Sequence, residues 1–152
     1  DGFHTSDGDN SIYFRPETPD AMLIGTGDHG EPTTDPDDMP DSVDQQHTRR
    51  MRQLLAKRMP SFARAEQVRS LTGPYDITSD WNPIVGAVPG YDGLFVAVGF
   101  SGHGFKLAPT ISEALAQTVL GLPVRVPIDM YRLQRFEEHA PLSGAYGIGS
   151  IS

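Results

Sequence analysis

Apolar residues recur in short runs near the start of the chain and predict a β-hairpin over residues 12–25. The two runs, Ile12–Phe14 and Met22–Ile24, flank a turn rich in proline and aspartate, which favour chain reversal. Residues 26–41 follow with five aspartates, one glutamate, three prolines and two glycines. This composition predicts an exposed loop.

After this loop the apolar residues recur at helical spacing. They predict a helix from Ser42 to about Met59, with the Ser42-x-x-Gln45 pattern of a capping box at its start and Pro60 at its end. One side of this predicted helix carries Val43, His47, Met51, Leu54 and Leu55. Residues 66–78 then alternate between apolar and polar positions, which predicts a strand.

The second half of the chain has the pattern of two strands followed by a helix. The segment TSDWNPIVGAVPGYDGLFVAVGF predicts two strands around a turn. The second strand, Leu94–Val98, is an uninterrupted apolar run typical of a strand covered on both faces. A helix is predicted from about Ala108 to Leu120, with Gly121 as its C-cap. A shorter helical candidate spans Asp129–Glu138, before an end rich in glycine and serine.

Composition and charge narrow the possible classes of function. The 152 residues include no cysteine, which excludes disulfides and thiolate nucleophiles, and no spacing of histidines or carboxylates predicts a metal site. The net charge of −8 argues against nucleic-acid binding, which needs a basic face. No apolar run approaches a membrane span, so we expect no membrane partner and a cytoplasmic location. The start at Asp1 without a methionine indicates a fragment or a processed chain.

The stretch GFSGHGFKLAP, residues 99–109, carries the clearest chemical signal. It places three glycines, a histidine and a lysine between a predicted strand and a predicted helix. Glycines let the backbone approach a ligand closely, and a helix N-terminus presents free N–H groups and the positive end of the helix dipole. The spacing G-x-x-G-x-G differs from the dinucleotide fingerprint G-x-G-x-x-G. On spacing alone, a ligand site and a structural tight turn explain the stretch equally well.

This stretch and three other segments resemble a known family. GFSGHGFKLAP followed by a helix is similar to the C-terminal signature of FAD-dependent oxidoreductases of the D-amino-acid oxidase superfamily, in the branch of sarcosine oxidase, glycine oxidase and dimethylglycine dehydrogenase. The segments YFRPE with LIG, GPYDITSDWNPIVGAVPG and RFEEHAPLSGAYGIGS resemble further family segments in the same order. Within the third of these four motifs, Thr78 and Asp80 are expected to shape a turn, although Ser79 replaces the usual proline.

The resemblance implies an α/β fold class, or α+β for this part of the protein by itself. Residues 1–72 would belong to a substrate-binding domain with a mixed sheet, formed by the hairpin, the acidic loop, the helix and the strand. Residues 73–152 would complete an FAD-binding domain with a strand, the glycine turn and a helix. Family members are more than twice as long and begin with a Rossmann half that this chain lacks. The implied cofactor is FAD, and the implied partner is an N-terminal FAD-binding half or a partner subunit.

The resemblance also assigns roles within the glycine turn. The implied FAD contacts are Gly102, His103, Gly104, Phe105 and Lys106. Lys106 matches a lysine that holds the substrate carboxylate in sarcosine oxidase-like members, which makes it the candidate catalytic and substrate-binding residue. The alternative is an ordinary surface lysine at a helix start. For His103, a flavin contact and a packed structural histidine are equally consistent with the sequence.

Residues outside the turn complete the candidate site. Gly73 stands where members with covalent flavin have a cysteine, so the resemblance implies noncovalent FAD. Tyr13 and Arg15 share one face of the predicted hairpin and are candidates to bind substrate, although a solvent-facing charge pair is the more usual role for such an arginine. Leu23 replaces a lysine that some oxidases have, which leaves oxidase and dehydrogenase chemistry both open.

The implied activity is oxidation of a small amino acid or N-methylated amine by hydride transfer to flavin N5. As a fragment, the chain is expected to be inactive alone. The alternative is a non-catalytic subunit or ligand-binding domain that keeps the fold without independent redox activity.

Overall fold

The computed structural model describes residues 3–26 and 35–143. The chain divides into two compact units, Asp1–Pro74 and Tyr75–Ser152. The described residues form two antiparallel sheets and two α-helices, so the architecture is a mixed α and β one. None of the helices in these two described ranges is long and apolar enough to cross a bilayer.

The first unit contains a three-stranded antiparallel sheet. Its strands are β1 (Thr5–Asp7), β2 (Ile12–Thr18) and β3 (Ala21–Thr26), in the order β1-β2-β3. The predicted hairpin is confirmed as β2 and β3. Strand β1 was missed because its polar sequence TSD has no apolar alternation. All pairs among the described strands are antiparallel, so they do not form the mixed sheet that was predicted.

Helix α1 (Gln45–Arg58) confirms the predicted helix but not its predicted start. Asp44 is the N-cap, and its carboxylate accepts a hydrogen bond from the His47 amide at 2.6 Å. The capping box expected at Ser42 is therefore wrong, because the helix begins at Gln45 and its N-cap lies two residues further along the chain than Ser42. Met51 and Leu55 are buried, as the apolar spacing predicts. The helix ends just before Pro60, which cannot donate to it.

The strand predicted over residues 66–78 is wrong. These residues form neither helix nor strand, and Val68 and Leu71 are 88% and 72% exposed. Alternating residues can favour an extended backbone, but a strand also needs a neighbour to accept its hydrogen bonds. Among the described strands none pairs with this segment.

The second unit is built from a two-stranded sheet and one helix. Strands β4 (Ile84–Ala87) and β5 (Phe95–Val98) pair antiparallel around the predicted turn. Their buried core contains Val85, Ile111, Ala114 and Ile128. The expectation that Leu94–Val98 is covered on both faces is wrong for this chain, because Val98 is 48% exposed. An apolar run predicts where a strand forms, but not how many layers cover it.

Helix α2 (Gly104–Val119) starts four residues earlier than predicted. The prediction placed Pro109 in the first turn, whereas the structure carries it inside the helix, where its missing N–H leaves one backbone bond unmade. Gly121 follows the last helical turn in a left-handed conformation, with φ of +64°. Leu120 is the cap residue itself.

The helix predicted over Asp129–Glu138 is replaced by two short 3₁₀ turns, Asp129–Tyr131 and Leu133–Arg135. Arg135, the last residue of the second turn, is completely buried and bonds to Asp80, so side-chain contacts rather than a regular helix tie this segment to the unit. The glycine- and serine-rich end predicted for the chain lies outside the described residues from position 144 onward.

Candidate functional site

The glycine turn, residues 99–104, connects β5 to α2 through backbone conformations that favour glycine. Gly99 and Gly102 have φ of +69° and +84°. A Cβ added to Gly99 would clash with the Thr78 methyl group, and one added to Gly102 would lie 3.2 Å from the Tyr75 ring. The chain's own side chains therefore account for the absence of side chains at these two positions.

One aspartate that sequence reasoning missed holds the first half of the turn. Asp76 Oδ2 accepts hydrogen bonds from the Gly99 amide at 2.7 Å and the Phe100 amide at 3.2 Å. The backbone carbonyl of Asp76 accepts from the Ser101 amide at 3.3 Å. Three consecutive amides of the turn thus bond to a single residue.

Ser101 stabilises the glycine turn through hydrogen bonds of its buried hydroxyl group. Its side chain is fully buried, and its hydroxyl donates to the Gly99 carbonyl at 3.1 Å. The same oxygen accepts from the Thr78 amide at 3.2 Å. Ser101 also adopts a positive φ of 49°, which is uncommon for a residue with a side chain. The turn is therefore held on one side by Asp76 and on the other by Thr78.

The glycine turn leads into α2, whose N-terminus has no side-chain cap. The first hydrogen bond of α2 runs from the Leu107 amide to the His103 carbonyl at 3.3 Å, so the amides of the preceding three helical residues have no acceptor within the helix. The His103 side chain does not cap them. Such an end carries partial positive charge and is suited to an anion or an electron-rich group.

Two side chains at this N-terminus are exposed. Phe105 is 99% exposed. Lys106 is exposed, and in the described part of the chain no carboxylate forms an ion pair with it. Lys106 therefore adds an available full charge to the helix end.

His103 is half-buried at the start of α2. Burial lowers the pKa of its imidazole below the ordinary value, and the positive charge of Lys106 lowers that pKa further. At neutral pH the imidazole is therefore neutral, able to donate or accept a hydrogen bond without adding charge.

A buried ion pair supports the segment that braces the turn. Arg135 donates to Asp80 through Nε at 2.8 Å and through a terminal nitrogen at 2.9 Å, and the two side chains are 1% and 0% exposed. Burial alone would raise the pKa of Asp80, but the hydrogen bonds from Arg135 and from the Leu142 and Asn82 amides lower it to about 2. The turn predicted around Thr78 and Asp80 is confirmed, since the Trp81 amide donates to the Thr78 carbonyl at 3.1 Å.

The structure brings together only part of the predicted site. The five predicted residues of the turn are contiguous in the second unit: Gly102, His103, Gly104, Phe105 and Lys106. Gly73, Tyr13 and Arg15 belong to the first unit. Their predicted roles in binding stay predictions.

The local surroundings of these three residues are well defined. A Cβ added to Gly73 would meet nothing within 4 Å, so no steric reason requires glycine there. Tyr13 stacks on His4 with ring centroids 5.4 Å apart. Arg15 pairs with Glu17 at 2.8 Å, two residues further along the same strand rather than across the sheet.

Sequence reasoning also missed a G-x-G-x-x-G spacing at Gly25–Gly30, at the end of β3. The dinucleotide fingerprint requires this spacing between a strand of a parallel unit and the start of a helix. Strand β3 is antiparallel to its neighbour, and the described residues contain no α-helix between it and α1. Pro32 and a run of aspartates follow instead. Among the described strands, the strand before this spacing is therefore not part of the parallel unit that the fingerprint requires.

The strand, the glycine turn and the uncapped helix end form an arrangement that is suited to electron-rich ligands. The fold itself is similar to that of L-proline dehydrogenase from P. horikoshii, with a TM-score of 0.74 over 91% of this chain and 39% of that one, at 23% identity. Residues 1–118 match the FAD dependent oxidoreductase family, DAO. The chain belongs to this family of FAD-dependent oxidoreductases.

Individual relatives agree with this assignment. The tRNA 5-methylaminomethyl-2-thiouridine biosynthesis bifunctional protein MnmC of Caulobacter sp. (strain K31) is 38% identical over 119 residues, which are 76% of this chain and 19% of that protein. N-methyl-L-tryptophan oxidase of Salmonella dublin is 39% identical over 64 residues, 42% of this chain and 17% of the enzyme. The chain thus spans about a fifth of the length of the relatives it matches.

Proposed function

We propose that the chain is the C-terminal part of an FAD-dependent enzyme that oxidises an amino acid or an N-methylated amine. The observation that carries this proposal is the uncapped N-terminus of α2 with Lys106, which has no ion-pair partner within residues 3–26 and 35–143, on a turn that Asp76 and Thr78 hold in place. N-methyl-L-tryptophan oxidase, an enzyme named for such a substrate, is among the relatives.

The donor set of the glycine turn fits a flavin ring. The chemistry that a bound flavin would supply here is acceptance of a hydride from the carbon next to the substrate nitrogen. The amides of Gly104, Phe105 and Lys106 would face an electron-rich edge of the ring and favour negative charge there. His103, neutral by burial, would add a hydrogen bond without competing charge. The exposed ring of Phe105 would gain cover from the cofactor or from the rest of its domain.

Lys106 would hold the carboxylate of the substrate. An ammonium group beside the ring fixes the substrate so that the carbon to be oxidised stays near the acceptor, and it contributes through position rather than proton transfer. Arg15 and Tyr13 are candidates to contact the substrate from β2. Arg15 already pairs with Glu17, so it would bind a second carboxylate only by exchanging that partner.

The two units would belong to two different domains of the enzyme, one for substrate and one for FAD. Residues 1–72 would contribute the substrate-binding domain, and residues 73–152 would complete the FAD-binding domain. Phosphate binding would fall to an N-terminal half or a partner subunit, because the strand before the Gly25–Gly30 spacing is antiparallel to its neighbour, whereas a dinucleotide site uses a parallel unit. With glycine rather than cysteine at position 73, the flavin would be noncovalent.

A second candidate is a non-catalytic subunit or ligand-binding domain that keeps the fold without redox activity. The half-exposed apolar strand β5 favours it for the chain taken alone, since that face lacks the cover that such a strand normally has. Co-purification separates the two candidates. The first predicts a flavin absorption spectrum once the nucleotide-binding half is supplied, and the second predicts none.

The role of Lys106 is tested by steady-state kinetics of the complete enzyme carrying Lys106→Met. A charge-assisted bond to a carboxylate is worth about 1.5–3 kcal/mol, so KM for the amine substrate should rise about 10- to 100-fold while the flavin content stays normal. Lys57→Met is the matched control, because Lys57 is the other lysine of the chain and is also exposed. Equal KM values for the two variants would rule out the proposed carboxylate contact.

A further inference from the structure

We propose that Asp76 is a positioning residue for the flavin, acting by fixing the direction of the glycine turn. This inference rests on the proposed function. Asp76 lies in the segment that precedes β4, outside any helix or strand. Its Oδ2 and its carbonyl oxygen accept from the amides of Gly99, Phe100 and Ser101, at 2.7, 3.2 and 3.3 Å.

The bonds to Asp76 lie directly before the start of α2, so they can fix the direction of its N-terminus. The Phe100 carbonyl accepts from the His103 amide at 2.8 Å, and α2 begins at the next residue. A rotation of the backbone at Phe100 would therefore redirect the free amides at the start of α2. These are the amides that would face the flavin.

Without Asp76 the turn would have considerable freedom. Gly99 and Gly102 both adopt left-handed conformations, and glycine loses more backbone entropy on ordering than any other residue. The described strands offer no ladder partner to residues 75–78, so the restraint comes from the side-chain bonds of Asp76, from its carbonyl bond to the Ser101 amide and from the Thr78–Ser101 contact. The carbonyl bond and the Thr78–Ser101 contact would remain and hold the fold when the Asp76 side chain is replaced.

Two substitutions separate the hydrogen bonds of Asp76 from its charge. A single oxygen, Oδ2, accepts from both amides, so the side-chain oxygen of Asp76→Asn can make the same two bonds without the negative charge. Asp76→Ala removes both the bonds and the charge. Because Asp76 is an exposed residue, neither substitution opens a cavity in the core.

The experiment measures FAD affinity and the visible circular dichroism of the flavin in the complete FAD-binding protein. We expect Asp76→Ala to weaken FAD binding by about 10-fold or more and to change the flavin dichroism, and Asp76→Asn to restore both to within about 3-fold of the wild type. Asp92→Ala is the matched control, since Asp92 is an exposed aspartate in the β4–β5 turn. Amide hydrogen exchange at Gly99 and Phe100, whose amides bond to the Asp76 side chain, reports the same contacts independently of the flavin.

Each outcome bears on one of the two proposals. Faster exchange at Gly99 and Phe100 in Asp76→Ala, with unchanged FAD affinity and dichroism, overturns the positioning role. Equal losses in Asp76→Ala and Asp76→Asn also overturn it, because they would assign the effect to charge. A wild-type protein that binds no FAD overturns the proposed function itself, and the positioning role with it. Loss in the alanine variant with rescue by asparagine supports the proposal.

Discussion

The buried pair of Arg135 and Asp80 gives the most demanding test of how the second unit is held together. Arg135→Met would leave the Asp80 carboxylate in an enclosed site with no counter-charge. Hydrogen bonds from the Leu142 amide at 3.0 Å and the Asn82 amide at 3.1 Å would remain, so the carboxylate would be partly satisfied but not neutralised.

The expected size of the effect follows from burial. Breaking a buried ion pair by removing one partner costs about 3–5 kcal/mol of unfolding free energy, because the other charge stays uncompensated. Arg135 also donates to the Tyr131 and Asn82 carbonyls, at 2.9 and 2.8 Å, and these bonds would be lost as well. Asp80→Asn combined with Arg135→Met should cost less than the sum of the two single substitutions, since neither charge is then left alone.

Urea unfolding measures this directly, because Trp81, the single tryptophan of the chain, is adjacent to Asp80 and reports the transition by fluorescence. Arg125→Met serves as the control, as Arg125 pairs with Glu113 at 3.3 Å but is 78% exposed, and an exposed pair contributes little. A loss below about 1 kcal/mol for Arg135→Met, or strict additivity in the double variant, would refute the view that this pair is a buried, coupled unit.

Two further predictions concern acid and the glycine turn. The pKa of Asp80 is about 2 against an ordinary 3.8. The stabilisation from the ion pair is therefore fully present above about pH 4 and is lost as the pH falls toward about 2. The urea midpoint of the wild type should decline over this range, and that of Arg135→Met should not. Gly99→Ala should lower the free energy of unfolding by at least about 2 kcal/mol, because both the left-handed backbone and the Thr78 methyl group oppose a Cβ. Thermal unfolding measures this loss. Gly93 has a φ of +75°, but a Cβ added there would meet nothing within 4 Å, so Gly93→Ala should lower the free energy of unfolding by less. Equal losses of unfolding free energy in the two variants would contradict the steric contribution of Thr78.

Local patterns in the sequence predict the elements whose partners lie close along the chain. The hairpin of β2 and β3 and the pair of β4 and β5 each combine apolar runs with turn residues, so pattern and pairing agree. Residues 66–78 show the limit of this reasoning. Their alternation favours an extended backbone, yet no described strand pairs with them, and pairing is a non-local property.

The residues that hold the candidate site could not be found for the same reason. Asp76 and Ser101 are 25 positions apart, and Asp80 and Arg135 are 55 positions apart. Nothing in the local sequence of Arg135 distinguishes it from the partly exposed Arg132 three residues earlier. Burial and a bidentate partner make that distinction, and both depend on the folded chain.

Gly99 and Gly102 are weaker evidence for a ligand than the glycine-rich motif suggests. The positive φ angles, together with the side chains of Thr78 and Tyr75, explain why residues 99 and 102 are glycine. A ligand is therefore not needed to explain the glycine pattern. What the local packing does not explain is the uncapped start of α2, with Phe105 fully exposed and Lys106 unpaired among the described residues. The case for a flavin edge and a substrate carboxylate at this turn depends on those groups, and on the membership of the chain in a family that uses FAD.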